Sequence, residues 1–302
     1  MMSPLQGELL KRRLAQSGYS QNRQSVDLKH ERFSIYVPAV EPPLGFAVLV
    51  FLPPWEDARV PLDWDSTLER SGTILVTMEH SGNRESVLER RVPLVVLAAH
   101  NVIARYHVDP QRVYVGGFSG GSRVAMRIAL GYPDLFQGAL LNAGSDPIGD
   151  SQTPLPAEAL FRVFQASSRL VYFTGQDDAV NLEKDSASVQ SMRRWCVFNT
   201  ESYAIFRQDH DLAPAAALER ALLAVSKPPN STSDRLVSCR RKVAEELSAQ
   251  LHRVEAAISA DKPQDARKQL NAIDARFGGM AAPRSIELQR QIELHTEGSS
   301  VN

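Results

Sequence analysis

The stretch VYVGGFSGGSRVAMRIALGYPDLF, residues 113–136, passes from an apolar run into a helical pattern around one serine. Ser119 lies within Gly117-Phe118-Ser119-Gly120-Gly121, a Gly-x-Ser-x-Gly pentapeptide. A nucleophile elbow needs this order, because its serine occupies a strained strand-to-helix turn and the neighbouring residues must be too small to clash. The helix that follows directs backbone N–H groups, that of Gly120 first, toward a developing oxyanion. The stretch therefore predicts a strand, a sharp turn and a helix, with Ser119 as a candidate nucleophile.

Two other interpretations of a glycine-rich turn are a turn without chemical role and a cradle for phosphate. A Walker loop would end in Gly-Lys-Ser or Gly-Lys-Thr, and a dinucleotide-binding loop would read Gly-x-Gly-x-x-Gly. Neither pattern is present in this turn. The remaining choice depends on whether an acid and a base follow along the chain, since serine is a poor nucleophile without them.

An acid and a histidine do follow, each directly after an apolar run. RLVYFTG (169–175) precedes Asp177 and Asp178, and SYAIF (202–206) precedes His210. The order Ser119, Asp178, His210 is that of the α/β-hydrolases and differs from the orders in chymotrypsin-like and subtilisin-like proteases. Asp178 is favoured as the acid, Asp177 is the alternative, and Asp146 is a distant third.

The same alternation of apolar runs and helical patterns extends along most of the chain. Nearly continuous hydrophobic runs separated by helices indicate a mostly parallel sheet covered on both faces, an α/β architecture. The predicted strands are 32–37, 46–52, 73–78, 112–117, 138–143, 169–175 and 202–206, and the predicted helices between them are 85–106, 120–131, 182–194 and 214–225.

Two flanking regions differ from this pattern. Residues 1–30 are polar and only weakly helical, so we expect an N-terminal arm before an α/β domain at 31–226. SKPPNSTSD at 226–234 predicts a linker, and the remainder, 227–302, predicts an all-helical extension. The favoured interpretation is a bundle packed on the main domain. The alternative is a docking surface, because DKPQDARKQLNAIDARFGG is similar to one tetratricopeptide-type hairpin.

Composition narrows the partners and the compartment. The 34 Lys and Arg balance the 35 Asp and Glu without a polybasic block, which gives no electrostatic reason to expect a nucleic acid or an anionic membrane as partner. No stretch reaches the roughly 18 apolar residues of a membrane helix, and MMSPLQGELLKRRLAQ carries charges where a signal peptide would be apolar. We expect a cytoplasmic protein; the alternative is a periplasmic or secreted one if the start is misassigned.

The two cysteines, Cys196 and Cys239, lie far apart and lack the spacing of a metal site. This favours two buried thiols, with a disulfide in an exported protein as the alternative. His100 and His107 fall in or just after a predicted helix, and no HExxH motif accompanies them. We therefore expect neither a metal ion nor a cofactor.

Residues 32–225 resemble the α/β-hydrolase fold, and the quoted stretch with its continuation QGALLNAGS resembles the polyhydroxybutyrate-depolymerase-like and feruloyl-esterase-like group. The shared features are Gly-x-Ser-x-Gly-Gly before a helix, then Tyr-Pro-x-x-Phe. The resemblance implies Ser119 as nucleophile, His210 as base and Asp178 as acid, because the Gly-x-x-Asp of the group falls on Gly175 and Asp178. It leaves the C-terminal helices unexplained.

The chain departs from the group at the loop that supplies the second oxyanion donor. Many relatives have His-Gly there, whereas this chain has Leu52-Pro53-Pro54-Trp55. Proline has no N–H to donate, so the second donor would be the N–H of Trp55 or of its neighbour. A further departure is Asp209, which precedes His210 in place of the usual glycine.

Other residues near the predicted strand ends are candidates for the substrate pocket. They are Trp64, which follows Trp55 in the same loop, the pair His80 and Asn83 in MEHSGNRE, and Phe118 beside the serine. Aromatic residues in loops often serve packing alone, which is the alternative for Trp55 and Trp64.

Together these features predict a serine carboxylester hydrolase. Little room separates GALLNA from RLVYFTG, so a large lid is not expected, and an open cleft suits a small ester with a short acyl group or the end of a polymer. Two alternatives remain: a serine peptidase with the same triad, and a decayed hydrolase-fold protein that binds a protein partner, or itself, through its C-terminal helices.

Overall fold

A computed structural model of the chain describes residues 3–16, 26–27, 29–230 and 233–298. Within them, seven strands form one sheet, and they are β1 (Phe33–Tyr36), β2 (Phe46–Leu52), β3 (Thr73–Met78), β4 (Val108–Phe118), β5 (Gly138–Asn142), β6 (Arg169–Gly175) and β7 (Thr200–Ile205). The strand order is β1-β3-β2-β4-β5-β6-β7. Only β1 is antiparallel to its neighbour; the other five pairings are parallel.

In the described residues, one α-helix precedes the strands, one follows each strand from β2 to β7, and three more come after them. In chain order the helices are α1 (Pro4–Gln16), α2 (Asp65–Ser71), α3 (Val92–Arg105), α4 (Gly120–Gly131), α5 (Glu158–Ser167), α6 (Ala179–Arg194), α7 (Ala215–Val225), α8 (Asp234–Ser259), α9 (Pro263–Phe277) and α10 (Arg284–Gly298). The helix predicted at 85–106 is divided into a π-helical turn, Val87–Arg91, and α3.

The central strands are buried along their whole length, as their apolar runs predict. Because successive side chains point to opposite faces of a sheet, each strand contributes to two hydrophobic clusters. In β3, Ile74 and Val76 belong to one cluster, whereas Leu75 belongs to the other. Both faces are therefore covered.

Helices divide between the two faces in agreement with this alternation. Leu68 of α2 and Leu218 of α7 pack in the cluster that contains Leu75. Residues of α3, α4, α5 and α6 pack in the cluster on the other face. The predicted fold class, a mostly parallel sheet with helices on both faces, is confirmed.

The C-terminal helices add buried residues to the hydrophobic cluster that contains Ile74 and Val76. Val254 of α8 and Phe277 of α9 are buried in it, and the Phe277 ring lies edge-on to Trp195 at 5.5 Å between centroids. Leu5 of α1 is buried in the same cluster, so part of the region expected to be an arm is a packed helix. Residues 17–25 and 28 of that arm lie outside the described residues.

A disulfide joins Cys196, just after α6, to Cys239 in α8. The spacing of the two residues favours buried thiols, so the structure corrects that interpretation. Sequence separation does not reveal the pairing, because it is the packing of α8 against the α/β domain that brings the two residues together. Part of the predicted linker, residues 231–232, is outside the description, but α7 ends and α8 begins on either side of it.

Among the helices of the described residues, none is both long and apolar enough to cross a lipid bilayer.

Candidate active site

Ser119 occupies a sharp turn between β4 and α4. Its backbone has φ 54° and ψ −119°, a conformation that non-glycine residues rarely adopt. Glycines make this turn possible, since a Cβ at Gly117 would lie 2.5 Å from the carbonyl carbon of Gly121, and a Cβ at Gly121 would collide with the carbonyl oxygen of Leu52. The turn has the order and the close packing of a nucleophile elbow.

The turn places Ser119 beside His210, and His210 in turn contacts Asp178, one of the candidate acids. His210 Nε2 lies 2.9 Å from Ser119 Oγ, and His210 Nδ1 lies 2.6 Å from Asp178 Oδ2. A carboxylate can only accept, so Nδ1 carries the proton and donates to it, which leaves Nε2 as the acceptor for the serine hydroxyl. The three side chains have the hydrogen-bond pattern of a Ser-His-Asp triad.

The chain has an α/β-hydrolase fold. The parallel sheet, the elbow after β4, and the chain order of serine, aspartate and histidine at the carboxyl ends of β4, β6 and β7 agree with that fold.

Asp178 is the candidate acid that contacts His210. Its side chain is 6% exposed. Burial by itself raises the pKa of Asp178, but hydrogen bonds from His210 and Asn181 outweigh that effect and hold the pKa below its usual value. Asp177 is exposed, and Asp146 pairs with Arg127 at 3.1 Å.

Gly120 supplies the backbone N–H expected to bind an oxyanion. It is the first residue of α4, whose first intrahelical hydrogen bond runs from Arg123 N to Ser119 O, so the N–H of Gly120 has no acceptor within the helix. The positive end of the helix dipole lies at the same place. The role of Gly120 as an oxyanion donor stays a prediction.

The loop with the second predicted donor is held by hydrogen bonds to the loop after β3. Asn83 N donates to Pro54 O at 3.0 Å, and His80 N donates to Glu56 O at 2.7 Å. These bonds fasten the residues on both sides of Trp55. The exposed carboxamide of Asn83 lies against Gly120, where an added Cβ would collide with it.

The aromatic rings of Phe118 and Trp55 form a row beside His210. The Phe118 ring lies 5.1 Å from the His210 ring and 6.3 Å from the Trp55 ring, measured between centroids. Trp64, in contrast, is 1% exposed and donates from Nε1 to Ala213 O at 2.8 Å. Its position corrects the prediction that Trp64 lines the pocket: the ring packs in the core, because the main-chain acceptor for its N–H lies there.

Near the Trp55 loop, the side chains of Glu56, His80 and Glu85 have potential metal-ligand atoms within 4.8 Å of one another. Two arginines lie near these carboxylates, and one of them, Arg90, also pairs with Glu31 at 2.8 Å. Arg90 Nε lies 3.6 Å from Glu85 Oε2, and Arg91 interacts electrostatically with both Glu56 and Glu85. Burial lowers the pKa of Arg91 to about 10, so this arginine remains a cation at neutral pH. The ion pair with Arg90 and the nearby Arg91 cation therefore offset part of the negative charge of this cluster.

His100 and His107 both lie at the surface and take no part in the triad. His107 is exposed and its Nδ1 lies 2.7 Å from Glu41 Oε1, and His100 is exposed on α3. A groove of about 860 Å³ lies elsewhere, between α8 and α10, and neither Ser119 nor His210 lines it.

Sequence patterns did not reveal two polar residues behind the triad. Asn181 contacts both oxygens of Asp178, and Arg123 contacts Asn181. Asn181 lies three residues after Asp178, a spacing at which a helix cap is common, but that spacing does not specify a side-chain contact.

Comparison with known proteins gives fold-level similarity alone. No family model matches the sequence, and no curated protein matches it. The solved structures similar to it include a thermostable esterase (15% identity, TM-score 0.46), an S-formylglutathione hydrolase from Agrobacterium tumefaciens (18%, 0.47) and a puromycin-hydrolyzing peptidase from Mycobacterium tuberculosis (16%, 0.46).

These similarities cover 65%, 68% and 67% of this chain in the same order. The chain spans 58% of the esterase, 93% of the S-formylglutathione hydrolase and 37% of the peptidase. Similarity at this level does not define an activity.

Proposed function

We propose that the protein is a serine carboxylester hydrolase. The observation that carries the proposal is the position of the His210 ring, with one nitrogen at hydrogen-bond distance from Ser119 Oγ and the other from Asp178 Oδ2. An intact hydrogen-bonded triad at a strained elbow favours an active site over a decayed one, since backbone strain of this kind is concentrated at active sites.

In the first half-reaction, His210 Nε2 accepts the proton of Ser119 while Oγ attacks the ester carbonyl carbon. Asp178 holds the imidazole in the correct tautomer and stabilises the imidazolium. The tetrahedral intermediate collapses when the bond to the alkoxy oxygen breaks, and His210 returns the proton to the departing alcohol. His210 then takes a proton from water as the water oxygen attacks the acyl carbon. The bond from that carbon to Ser119 Oγ breaks, Oγ regains the proton from His210, and the acid is released.

Two backbone N–H groups would bind the oxyanion of the intermediate: that of Gly120, at the start of α4, and that of Trp55. Fixing such donors in advance is worth several kcal/mol, because removing one donor typically costs about 10²–10³ in kcat. The hydrogen bonds that fasten the Trp55 loop to residues 80–83 support this role, since they hold the donor rigid.

The exposure of the site favours a small ester substrate. The His210 side chain is 41% exposed. The connection from β5 to β6 packs against two other segments: Gly149 lies beside Trp195, just after α6, and Leu155 lies beside Gly278, just after α9. We infer a preference for short acyl groups or for the ends of polyesters, as in the polyhydroxybutyrate-depolymerase-like and feruloyl-esterase-like group.

We propose further that residues 31–226 contain the whole catalytic site and that residues 227–302 stabilise it from behind. Phe277 and Val254 share a hydrophobic cluster with that region, which supports a structural role for the extension.

The test is labelling of purified protein with a fluorophosphonate, followed by hydrolysis of p-nitrophenyl esters from acetate to palmitate. We expect labelling of the wild type, none of Ser119→Ala, and strongly reduced labelling of His210→Ala. Ser71→Ala and His107→Ala change the same residue types away from the site and should label normally.

Two results would contradict the proposal. A well-folded wild type that does not label has no activated serine. Labelling together with cleavage of aminoacyl amides, but not of any ester, would identify a peptidase. A rate that rises with acyl length up to palmitate would contradict the substrate class alone.

A further inference from the structure

Asn181 is the main hydrogen-bond donor to the acid of the triad. Its Nδ2 lies 2.9 Å from Asp178 Oδ1 and 2.8 Å from Oδ2, and its backbone N lies 3.3 Å from Oδ1. Among the described residues, three of the four hydrogen bonds to the Asp178 side chain therefore come from Asn181, and the fourth comes from His210. Asn181 is 7% exposed, so water does not readily replace these donors.

Arg123 fixes which way the Asn181 amide faces. Its Nη2 lies 3.0 Å from Asn181 Oδ1. A guanidinium has donors only, so the amide oxygen must face Arg123 and the NH₂ group must face Asp178. Without Arg123, the amide could turn over and present its oxygen to a carboxylate, which would repel it.

Arg123 in turn connects α4 and α6, the helices that begin directly after Ser119 and Asp178. It lies on α4, one turn after Ser119, and reaches Asn181 in the first turn of α6. Its Nε lies 3.6 Å from Asp146 Oδ1, and Arg127 Nη2 lies 3.1 Å from the other oxygen of Asp146. The contact with Asp146 helps to hold the Arg123 side chain in place.

We propose that Asn181, oriented by Arg123, is a positioning residue that fixes the Asp178 carboxylate toward His210 and limits how strongly that carboxylate attracts the imidazole proton. The inference rests on the proposed function. Asn181 Nδ2 lies 3.0 Å from His210 Nδ1, and since both nitrogens carry hydrogen, both must direct it to the carboxylate between them.

The expected effect has two parts. Loss of the amide frees the carboxylate to rotate, and a misplacement of about 1 Å at a catalytic group can cost on the order of 10²-fold in rate. Loss of the donors also concentrates negative charge on Asp178, which stabilises the imidazolium. The enzyme should then need a higher pH to regain the neutral imidazole that accepts the serine proton.

Other charged groups lie near Asp178, and they are the same in the wild type and in the variants of Asn181. Asp185, on α6, interacts electrostatically with both Asp178 and Arg123. Asp177, Asp209 and Asp211 are exposed to solvent, where their fields are screened. These groups are unchanged in the variants of Asn181, so a shift between the wild type and such a variant reports on the amide.

The experiment measures kcat, KM and the pH profile of kcat/KM for Asn181→Leu on the ester that the wild type hydrolyses best. We expect kcat to fall about 10- to 100-fold with KM within about twofold, and the acid limb of the profile to move to higher pH. Asn101→Leu removes an exposed helical asparagine on α3 and should leave both unchanged.

Arg123→Met tests the orientation separately while leaving Asn181 in place, and it keeps the test valid if Asn181→Leu does not fold. We expect the same shift of the acid limb in Arg123→Met and its reversal in Arg123→Lys, whose ammonium can donate to the amide oxygen. Wild-type kcat and pH profile in a folded Asn181→Leu, or a lower kcat without any shift, would overturn the inference. Failure of the wild type to label with fluorophosphonate would instead overturn the proposed function.

Discussion

Cys196 and Cys239 join the α/β region to the first long C-terminal helix by a disulfide across 43 residues of sequence. In the chain-entropy account, closing a loop of that length in the unfolded state is worth about 4 kcal/mol, and measured values are often 2–4. We expect the double variant Cys196→Ala/Cys239→Ala to lose about 2–4 kcal/mol of unfolding free energy in urea. Its kcat should stay close to that of the wild type, because the triad lies on other elements.

Dithiothreitol provides the control for this prediction. It should lower the unfolding free energy of the wild type toward that of the double variant and leave the double variant unchanged. Equal stability of oxidised and reduced wild type would show that the disulfide does not stabilise the fold.

Gly121 allows the elbow to pack against the end of β2, since a Cβ there would collide with the Leu52 carbonyl oxygen. Backbone cannot move aside as a flexible side chain can, so Gly121→Ala should displace the turn that carries Ser119. We expect a loss of kcat of at least about 10²-fold, measured on a short ester. Gly7→Ala is the matched control, because nothing lies within 4 Å of a Cβ at that position in α1, and its kcat should be normal. Normal hydrolysis by Gly121→Ala would refute the close-packing argument.

The fold and the elbow could be predicted because both depend on local patterns. Apolar runs such as FAVLVFL (46–52) become fully buried strands, and Gly117 and Gly121 occur where main-chain atoms leave no room for a side chain. The chain order of serine, acid and histidine is also visible in the sequence. Parallel strands bring these residues to one edge of the sheet, so order along the chain becomes proximity in space.

Asp178 and Asp177 are adjacent, yet their surroundings differ, which gives a paired test of the triad. Asp178 is buried and hydrogen-bonded to His210, whereas Asp177 is exposed and donates its backbone N–H to Gln208 O. Asp178→Asn should lower kcat by on the order of 10³–10⁴, because an amide in that place disturbs the imidazole tautomer. Asp177→Asn should retain nearly normal kcat. Steady-state kinetics on both variants would contradict the assignment if Asp177→Asn were the more damaged one.

What could not be predicted depends on packing between distant segments. Trp64 was expected at the pocket because it follows Trp55 in one loop, but an acceptor 149 residues away holds its indole N–H in the core. The contact from Arg123 to Asn181 likewise joins helices that are 58 residues apart in sequence. Neither partner is visible in a local pattern.

Asp185 of α6 gives a prediction for the dependence of stability on pH. It is buried and accepts hydrogen bonds from Ser145 Oγ at 2.5 Å and Thr174 Oγ1 at 2.6 Å. Burial raises the pKa of Asp185, and the two hydroxyl groups only partly oppose it. A carboxyl with a raised pKa in the folded state binds its proton more tightly there than in the unfolded state. Its contribution to stability is therefore greatest at low pH and is lost as pH rises from about 4 through the folded-state value.

Asp185→Asn removes this ionisation while keeping the shape of the side chain. We expect the unfolding free energy of the variant to fall less than that of the wild type between pH 5 and pH 8, measured by urea denaturation at each pH. Asp134→Asn removes an exposed carboxyl and should leave the wild-type dependence intact. If Asp185→Asn and the wild type lost the same free energy over this interval, Asp185 would be ionised in the folded protein at both pH values, and its burial would have to be compensated by the two hydroxyl donors alone.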